Sequence, residues 1–477
     1  MTTTTATARD WTGLAVVLAA TFMGQVDGFI VNVASPTIQR DLPAGFDQIQ
    51  LVGAAYVFAC AAGLVTGGRL GDRFGRRRVF LAGVTVFTIA SLCCGLAPNA
   101  DLLIAFRFGQ GAAAAALIPQ ELAIVRTMFH DDAQRARALG AYGVALGLGV
   151  IAGIAGGGIL VDLDVAGLGW RSVFLLNVPI GVAILALGRF TIGESRSETT
   201  VRLDTVGALL TAFSIPALLV PLIFGPRAGW SVWVWVSALV GVLLIVVLAS
   251  QQRRNADPLY PPHVLATPGF PLSMATLAAF FAGNAGLFLV FTYHLQTGLG
   301  LDPMAAGLMF TPLGIGFAAG SALTGRLGRY GTRVPVAGTG LIAVCLLVMA
   351  TAAGMSQAPL AVLIGLIGLG QGLVVAPLVG VVLGRVTPDE AGAASGIAST
   401  VVQFGLAFGF AMIGVLYRTV LGGTPGDAAI DPSHHSAAFT AATLVLAGTA
   451  AVTSVLCWYL ARPRKITGTN RPDGATV

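Results

Sequence analysis

The feature that most constrains this chain is an apolar run of membrane-spanning length that keeps returning. Such runs lie at roughly 12–23, 49–67, 79–97, 102–125, 139–161, 172–191, 205–224, 230–250, 272–295, 304–324, 334–353, 359–384, 394–417 and 437–460, the first extending outward to about Pro36. A helix needs about 20 apolar residues to cross the hydrocarbon core of a bilayer, and only helices or closed barrels satisfy the backbone there. The pattern predicts an all-α polytopic membrane protein with fourteen transmembrane helices. Composition agrees: 56% of the residues are hydrophobic and 10% charged, where a soluble domain carries about 25% charge. No sizeable soluble domain fits between the runs. The polar stretch Met1 to Asp10 precedes an apolar run too long for a signal peptide, so no cleaved leader is expected.

The basic residues give the orientation. The termini and even-numbered loops carry 22 of them, in clusters such as Arg69, Arg73, Arg76, Arg77 and Arg78 or Arg253 and Arg254. The odd-numbered loops carry only Arg40, Arg171, Arg227 and Arg418, and Arg107 lies within a span. Basic residues resist translocation, so both termini are expected in the cytoplasm. The same distribution accounts for the net charge of +6 without any nucleic-acid partner. Arginine outnumbers lysine 26 to 1, which points to a GC-rich bacterial genome and to an inner (cytoplasmic) membrane.

The chain also repeats itself. Gly68-Arg69-Leu70-Gly71 returns as Gly325-Arg326-Leu327-Gly328, Gly109-Gln110-Gly111 as Gly370-Gln371-Gly372, and Asp131-Asp132-Ala133 as Asp389-Glu390-Ala391, at offsets of 257, 261 and 258. Chance explains one match between glycine-rich membrane sequences and explains three poorly. The predicted arrangement is 6+2+6: a bundle over residues 1–200, two inserted helices over 201–262, a second bundle over 263–461 and a cytoplasmic tail over 462–477. Parallel repeats of this kind suit alternating access around a midplane site.

The loop after the second span reads Gly68-Arg69-Leu70-Gly71-Asp72-Arg73-Phe74-Gly75-Arg76-Arg77-Arg78, and it resembles the signature loop of the major facilitator superfamily. Further segments are similar to the fourteen-helix drug:proton antiporter branch of that family: Asp27 to Pro36 in span 1, Arg107-Phe108-Gly109-Gln110-Gly111 in span 4, and Trp170-Arg171-Ser172-Val173-Phe174 leading to Asn177-Val178-Pro179-Ile180-Gly181. The resemblance covers nearly the whole chain. It implies a conformational latch at Gly68, Asp72, Arg73, Gly75 and Arg76, and proton coupling at the arginine of span 4. The branch's antiporter motif in span 5 is kept at Gly149, Gly153, Gly157 and Gly158, helix-packing glycines, but Ile154 stands where its proline is usual.

Charges inside the membrane cost at least ~2.5–3.5 kcal/mol each, so they mark function by default. Asp27 and Arg107 lie at compatible depth in the first bundle and are the expected proton-coupling pair, a static structural pair being the rival reading. Glu121 stands eleven and fourteen positions after Gln110 and Arg107, close to whole numbers of helical turns, and so shares their face with Ala114. It is either a cavity carboxylate for a cationic substrate or second proton, or a side chain snorkelling to the interface. Tyr56, Asn284, Gln371 and Gln403 either line the substrate cavity or hydrogen-bond between helices. His294 reads as an interface anchor, and His434 and His435 alone make no metal site. Five cysteines sit in apolar runs without Cys-x-x-Cys spacing and read as packing residues.

No phosphate-binding Gly-x4-Gly-Lys loop occurs, so no ATP drive is expected. The reading is a transporter and not an enzyme, working as a monomer in the lipid bilayer without cofactor or metal. It exports small lipophilic, in part cationic, compounds such as drugs and antibiotics against the proton gradient. A facilitator for a dedicated metabolite or lipid, with weak proton coupling, stays open because of Ile154. A membrane-embedded sensor or enzyme has no clustered nucleophile or metal site to support it.

Overall fold

The computed structural model describes residues 7–129, 131–196, 204–327, 330–331, 333–351, 355–387, 390–423 and 432–461. Gly328 and Asp389 of the repeats, residues 201–203 of the expected linker and the tail 462–477 lie outside these. All regular structure among the described residues is helical. Among the described residues fourteen helices are long and apolar enough to cross a membrane: α1 (Ala8–Asp41), α2 (Phe46–Phe74), α3 (Arg76–Gly95), α4 (Ala100–Met128), α5 (Ala133–Asp162), α6 (Arg171–Thr191), α7 (Thr205–Phe224), α8 (Val232–Arg254), α9 (Phe270–Gly298), α10 (Pro303–Thr324), α11 (Arg333–Thr351), α12 (Gln357–Val382), α13 (Ala393–Leu421) and α14 (Ser433–Ala461). The expected number of spans is therefore present, though α1 runs from well before residue 12 to beyond Pro36, which it contains.

Polar residues between the apolar runs start these helices. Thr7 and Asp10 form a reciprocal capping box on α1. Asn99, Asp131, Asp204 and Asp302 each accept an amide hydrogen bond as N-caps of α4, α5, α7 and α10. The break between α2 and α3 is one residue, Gly75, at φ +105°, where only glycine is unstrained.

The packing repeats as the sequence does. In the first six helices α1 packs on α5 and α6, α2 on α4, and α3 on α4 and α6. Among α9–α14 the same partners recur eight helices on: α9 on α13 and α14, α10 on α12, α11 on α12 and α14. The two sets meet through α2 on α13 and α5 on α10, a pair of contacts related by the same exchange. Helices α7 and α8 pack on one another, and α7 alone leans on the α2–α13 junction. Only Val234, Gly241 and Gln252 of α8 are buried, so most of that helix faces outward.

Glycine permits these close approaches. Gly149 and Gly153 of α5 lie against Phe22, Gln25 and Val26 of α1, Gly157 against Ile30, and Gly158 against the Pro303 carbonyl of α10. One stripe thus serves both a contact within the first set and a contact between sets. Ile154 is buried beside it, in the core that also holds Val33 and Ala306, without interrupting α5.

At the end remote from the termini the two sets are bridged. Tyr293 Oη donates to Gln39 Oε1 at 3.0 Å and Gln296 Nε2 to the Val33 carbonyl at 2.9 Å. The rings of Phe29 and Phe288, and of Phe46 and Tyr293, lie 5.2 Å apart. Buried Asp47 pairs with Arg227 at 3.1 Å and Arg418 at 3.8 Å, and Asp41 with Arg171 at 2.6 Å. Three of the four arginines at this end therefore stand in ion pairs.

Candidate functional site

A dense polar cluster lies wholly within the first six helices. Asp27 of α1 is fully buried and receives three donors. Arg107 Nη1 donates to Oδ2 at 2.6 Å, while Gln110 Nε2 and Asn177 Nδ2 donate to Oδ1 at 2.7 and 2.8 Å. All three contacts on the carboxyl come from donors. Arg107, 1% exposed, is held in turn by Gln110 Oε1 at 2.7 Å and the Val52 carbonyl at 3.2 Å. Its guanidinium lies over the Tyr56 ring at 4.5 Å and that of Phe174 at 5.7 Å. Ser91 of α3 accepts from Gln110 and Asn177 and donates to the Phe174 carbonyl at 2.9 Å. Five helices thus converge on one ion pair, and Gly111 lets α4 approach the Tyr56 backbone closely enough to do so.

A charge pair with no water must have its remaining polar capacity met by protein. Gln110 and Asn177 do that here. Sequence reasoning singles out neither Ser91 nor Asn177 as a candidate. Asn177 stands in a recognisable segment, but nothing in its spacing ties it to Asp27, 150 positions away.

Glu121 shares the face of α4 with Arg107 but not its surroundings. It is 2% exposed, which excludes snorkelling, and its Oε2 meets Thr21 Oγ1 of α1 at 2.8 Å and Tyr142 Oη of α5 at 3.0 Å. Fourteen residues of α4 separate it from Arg107, about 21 Å of rise. The polar stripe is therefore two sites at different depths.

Asn284 and Gln371 hydrogen-bond to each other. Asn284 stands 257 positions after Asp27, and Gln371 261 after Gln110, the offsets of the sequence repeat. They are a neutral counterpart of the Asp27–Gln110 contact, with Gly368 where Arg107 would fall. Beside them is a cavity of about 20 Å³ walled also by Thr339, Thr449 and Thr453, room for about one water. Gln403 Nε2 donates to Cys60 Sγ at 3.0 Å across the α2–α13 junction. His294 lies inside, stacked on Phe439 with centroids 3.7 Å apart, and is not an interface anchor: α9 packs on α14 there and covers it.

The arginine loop between α2 and α3 is ordered by acids on both sides of Gly75. Asp72 Oδ1 accepts from Arg76 at 2.9 Å across the turn. Glu194, after α6, takes the Arg77 amide at 3.1 Å and lies within 4 Å of the Arg77 and Arg78 guanidinium groups. Arg73 lies over Phe74. Gly68 faces Pro119, and Gly71 lets Gln120 of α4 reach the Gly67 carbonyl at 2.8 Å. Arg69 donates to the carbonyls of Asp257 and Pro258, tying α2 to the segment before α9. Among the described residues no group of three or more metal-ligating side chains occurs.

A family model described as Major Facilitator Superfamily matches residues 17–283 and 272–476. The chain is 36% identical over 426 residues to a probable actinorhodin transporter of Streptomyces coelicolor, an alignment covering 87% of this chain and 74% of that protein. It is 36% identical over 474 residues to the puromycin resistance protein pur8 of Streptomyces alboniger, covering 95% and 91% respectively. Among solved structures, a bacterial homolog to the human lysosomal transporter Spinster, inward-facing and unoccupied, matches with a TM-score of 0.68 at 16% identity over 96% of this chain and 98% of that one. At that identity the likeness is one of fold.

Proposed function

Since this chain belongs to the Major Facilitator Superfamily and is a multi-pass membrane protein, we propose that it exports small lipophilic compounds, antibiotics among them, in exchange for protons. The observation that carries the reading is the buried Asp27–Arg107 pair. Relatives named as a probable actinorhodin transporter and a puromycin resistance protein support the substrate class. The arginine-rich loops support placing both termini in the cytoplasm of a bacterium, and the protein is read as a monomer that needs only the proton gradient.

In this reading the bridged end is the outer one, and the structure corresponds to a state closed to the outside. Asp27 is ionised while Arg107 lies against it. Rocking of the two sets of helices opens the outer end, a shift of α1 against α4 within the first set lengthens that contact, and Asp27 then takes a proton from outside, where protons are more abundant. Return of Arg107 expels the proton inward. A static pair would fix helices but leave flux blind to the gradient. Asp72 acts as a latch for the state closed to the cytoplasm, holding the segment between α2 and α3 against an arginine or a neighbouring helix end, so Asp72→Asn slows turnover more than it weakens substrate binding. Glu121, Gln110, Tyr56, Asn284, Gln371 and Gln403 remain proposed contributors to the substrate path.

The test is substrate-induced proton movement in vesicles holding the purified protein, screened over dyes, organic cations and neutral lipophiles. The account expects proton release coupled to uptake of at least one lipophilic class. Flux without proton movement would favour the facilitator for a dedicated metabolite or lipid.

A further inference from the structure

We propose that Glu121, with Thr21 and Tyr142, forms a second proton-binding site, built without a cation and separate from the Asp27–Arg107 pair. A buried carboxylate needs either a counter-charge or a proton. Asp27 has the first. Among the described residues no lysine, arginine or histidine comes within ion-pair distance of Glu121.

The hydroxyl geometry carries the argument. Thr21 Oγ1 lies 3.0 Å from the Val17 carbonyl, one turn back on α1, and 2.8 Å from Glu121 Oε2. A threonine hydroxyl has one hydrogen, and in an apolar helix it bonds the carbonyl four residues earlier. With that hydrogen on Val17, the contact to Glu121 needs a hydrogen from the carboxyl. Two arrangements fit these distances: Thr21 and Tyr142 both donate to an ionised Oε2, or Thr21 keeps its hydrogen on Val17 and accepts one from a protonated Oε2; burial without a cation favours the second. When the proton leaves, Thr21 turns its hydrogen to the carboxylate, and two hydroxyls solvate the charge. The site thus holds either protonation state with one rotation.

The titratable groups around it are few. Tyr142 comes from α5 and Tyr56 from α2, the latter occupied with Arg107. On α1 the nearest is Asp27, six residues from Thr21, about 9 Å along the axis. On α4 are Arg107, paired with Asp27, and Arg126 near the other end; on α5, Arg135 and Arg137 lie toward the same end. Three helices of the first set, α1, α4 and α5, each supply one member. Their relative movement therefore separates the donors from the acid.

The use of this proton in transport rests on the antiport reading; its presence does not. Infrared difference spectra of the purified protein across pH read the carbonyl stretch of a protonated carboxylic acid. Wild type is expected to show this band at neutral pH. Asp27→Asn should keep it and Glu121→Gln should lose it. Tyr142→Phe leaves the acid in place but removes a donor to its ionised form, so the band should persist to higher pH, and this variant serves if Glu121→Gln does not fold. A second arm compares protons moved per neutral substrate, which should fall in Glu121→Gln relative to wild type. A neutral-pH band absent from wild type, lost in Asp27→Asn, or indifferent to both Glu121→Gln and Tyr142→Phe overturns the proposal. A normal Glu121 band with no proton movement for any substrate would instead sink the antiport reading alone.

Discussion

Arg107 shows how much one buried side chain can be asked to hold. It contacts Asp27, Gln110 and the Val52 carbonyl and stacks on Tyr56, all out of water. Removing one member of a buried pair leaves the other charge uncompensated, at a cost of about 3–5 kcal/mol. Arg107→Ala should therefore lower thermal stability in detergent by that order, and Asp27→Asn in the same chain should restore part of it because the orphaned charge is gone. Additive losses would mean the two side chains do not interact. Asp27 and Arg107 are readable in the sequence because a charge inside an apolar run announces itself. Ser91, Thr21, Asn177 and Tyr142 are not, since a small polar or phenolic residue in a membrane helix usually bonds its own backbone or a neighbour. Only the packing of α1 against α4, α5 and α6, with α3 on α4 and α6, brings them to the two carboxylates or to the amides that hold them.

At the level of helices, the glycine stripe of α5 and the cap of α7 invite opposite kinds of test. A side chain at Gly153 would meet the Val26 backbone, one residue from Asp27, so Gly153→Leu should force α1 and α5 apart and cut the folded yield. Gly140, on the same helix with open space around it, should accept alanine and gain up to about 1 kcal/mol from helix propensity. Equal folded yields for the two variants, by size-exclusion profile, would deny the stripe its packing role. Asp204 caps α7 outside the membrane spans. Burial opposes its charge, but hydrogen bonds from Gln252, the Gly207 amide, Gln251 and the Leu259 amide outweigh that and hold the carboxyl below its ordinary value. A lowered folded-state pKa gives stability that is complete above the unfolded value of about 4 and lost as pH falls through the folded one. Melting temperature in detergent should thus fall more steeply between neutral pH and about pH 3 in wild type than in Asp204→Asn. Equal slopes would remove Asp204 from the acid response. Helix number and type are plain from the apolar runs; the hold of Glu194 and Arg69 on neighbouring segments is not, because a charge at or beyond a helix end carries no periodic signal.

Across the whole molecule, the repeat is faithful in packing and broken in charge. The second set of helices reproduces the contacts of the first, yet puts Asn284 where Asp27 stands and glycine where Arg107 stands. Coupling confined to one set predicts that Asn284→Ala alters stability or substrate preference but leaves gradient-driven export in place. Orientation has its own check: of Ser433→Cys and Ala256→Cys, both exposed and at opposite ends of the bundle, only the first should react with an impermeant thiol reagent in intact cells. Reaction of Ala256→Cys instead would invert the topology. The alternation of arginines makes this arrangement readable from the order of residues alone, whereas the neutral copy emerges only once Asn284 and Gln371 are seen to touch. The central claim is that the Asp27–Arg107 pair couples export to protons, and pH-gradient-driven flux through purified Asp27→Asn beside wild type in vesicles tests it most directly. The account predicts a folded protein that still binds substrate and lets it equilibrate, with no uphill export at any gradient. Uphill export by Asp27→Asn at the wild-type rate would contradict it.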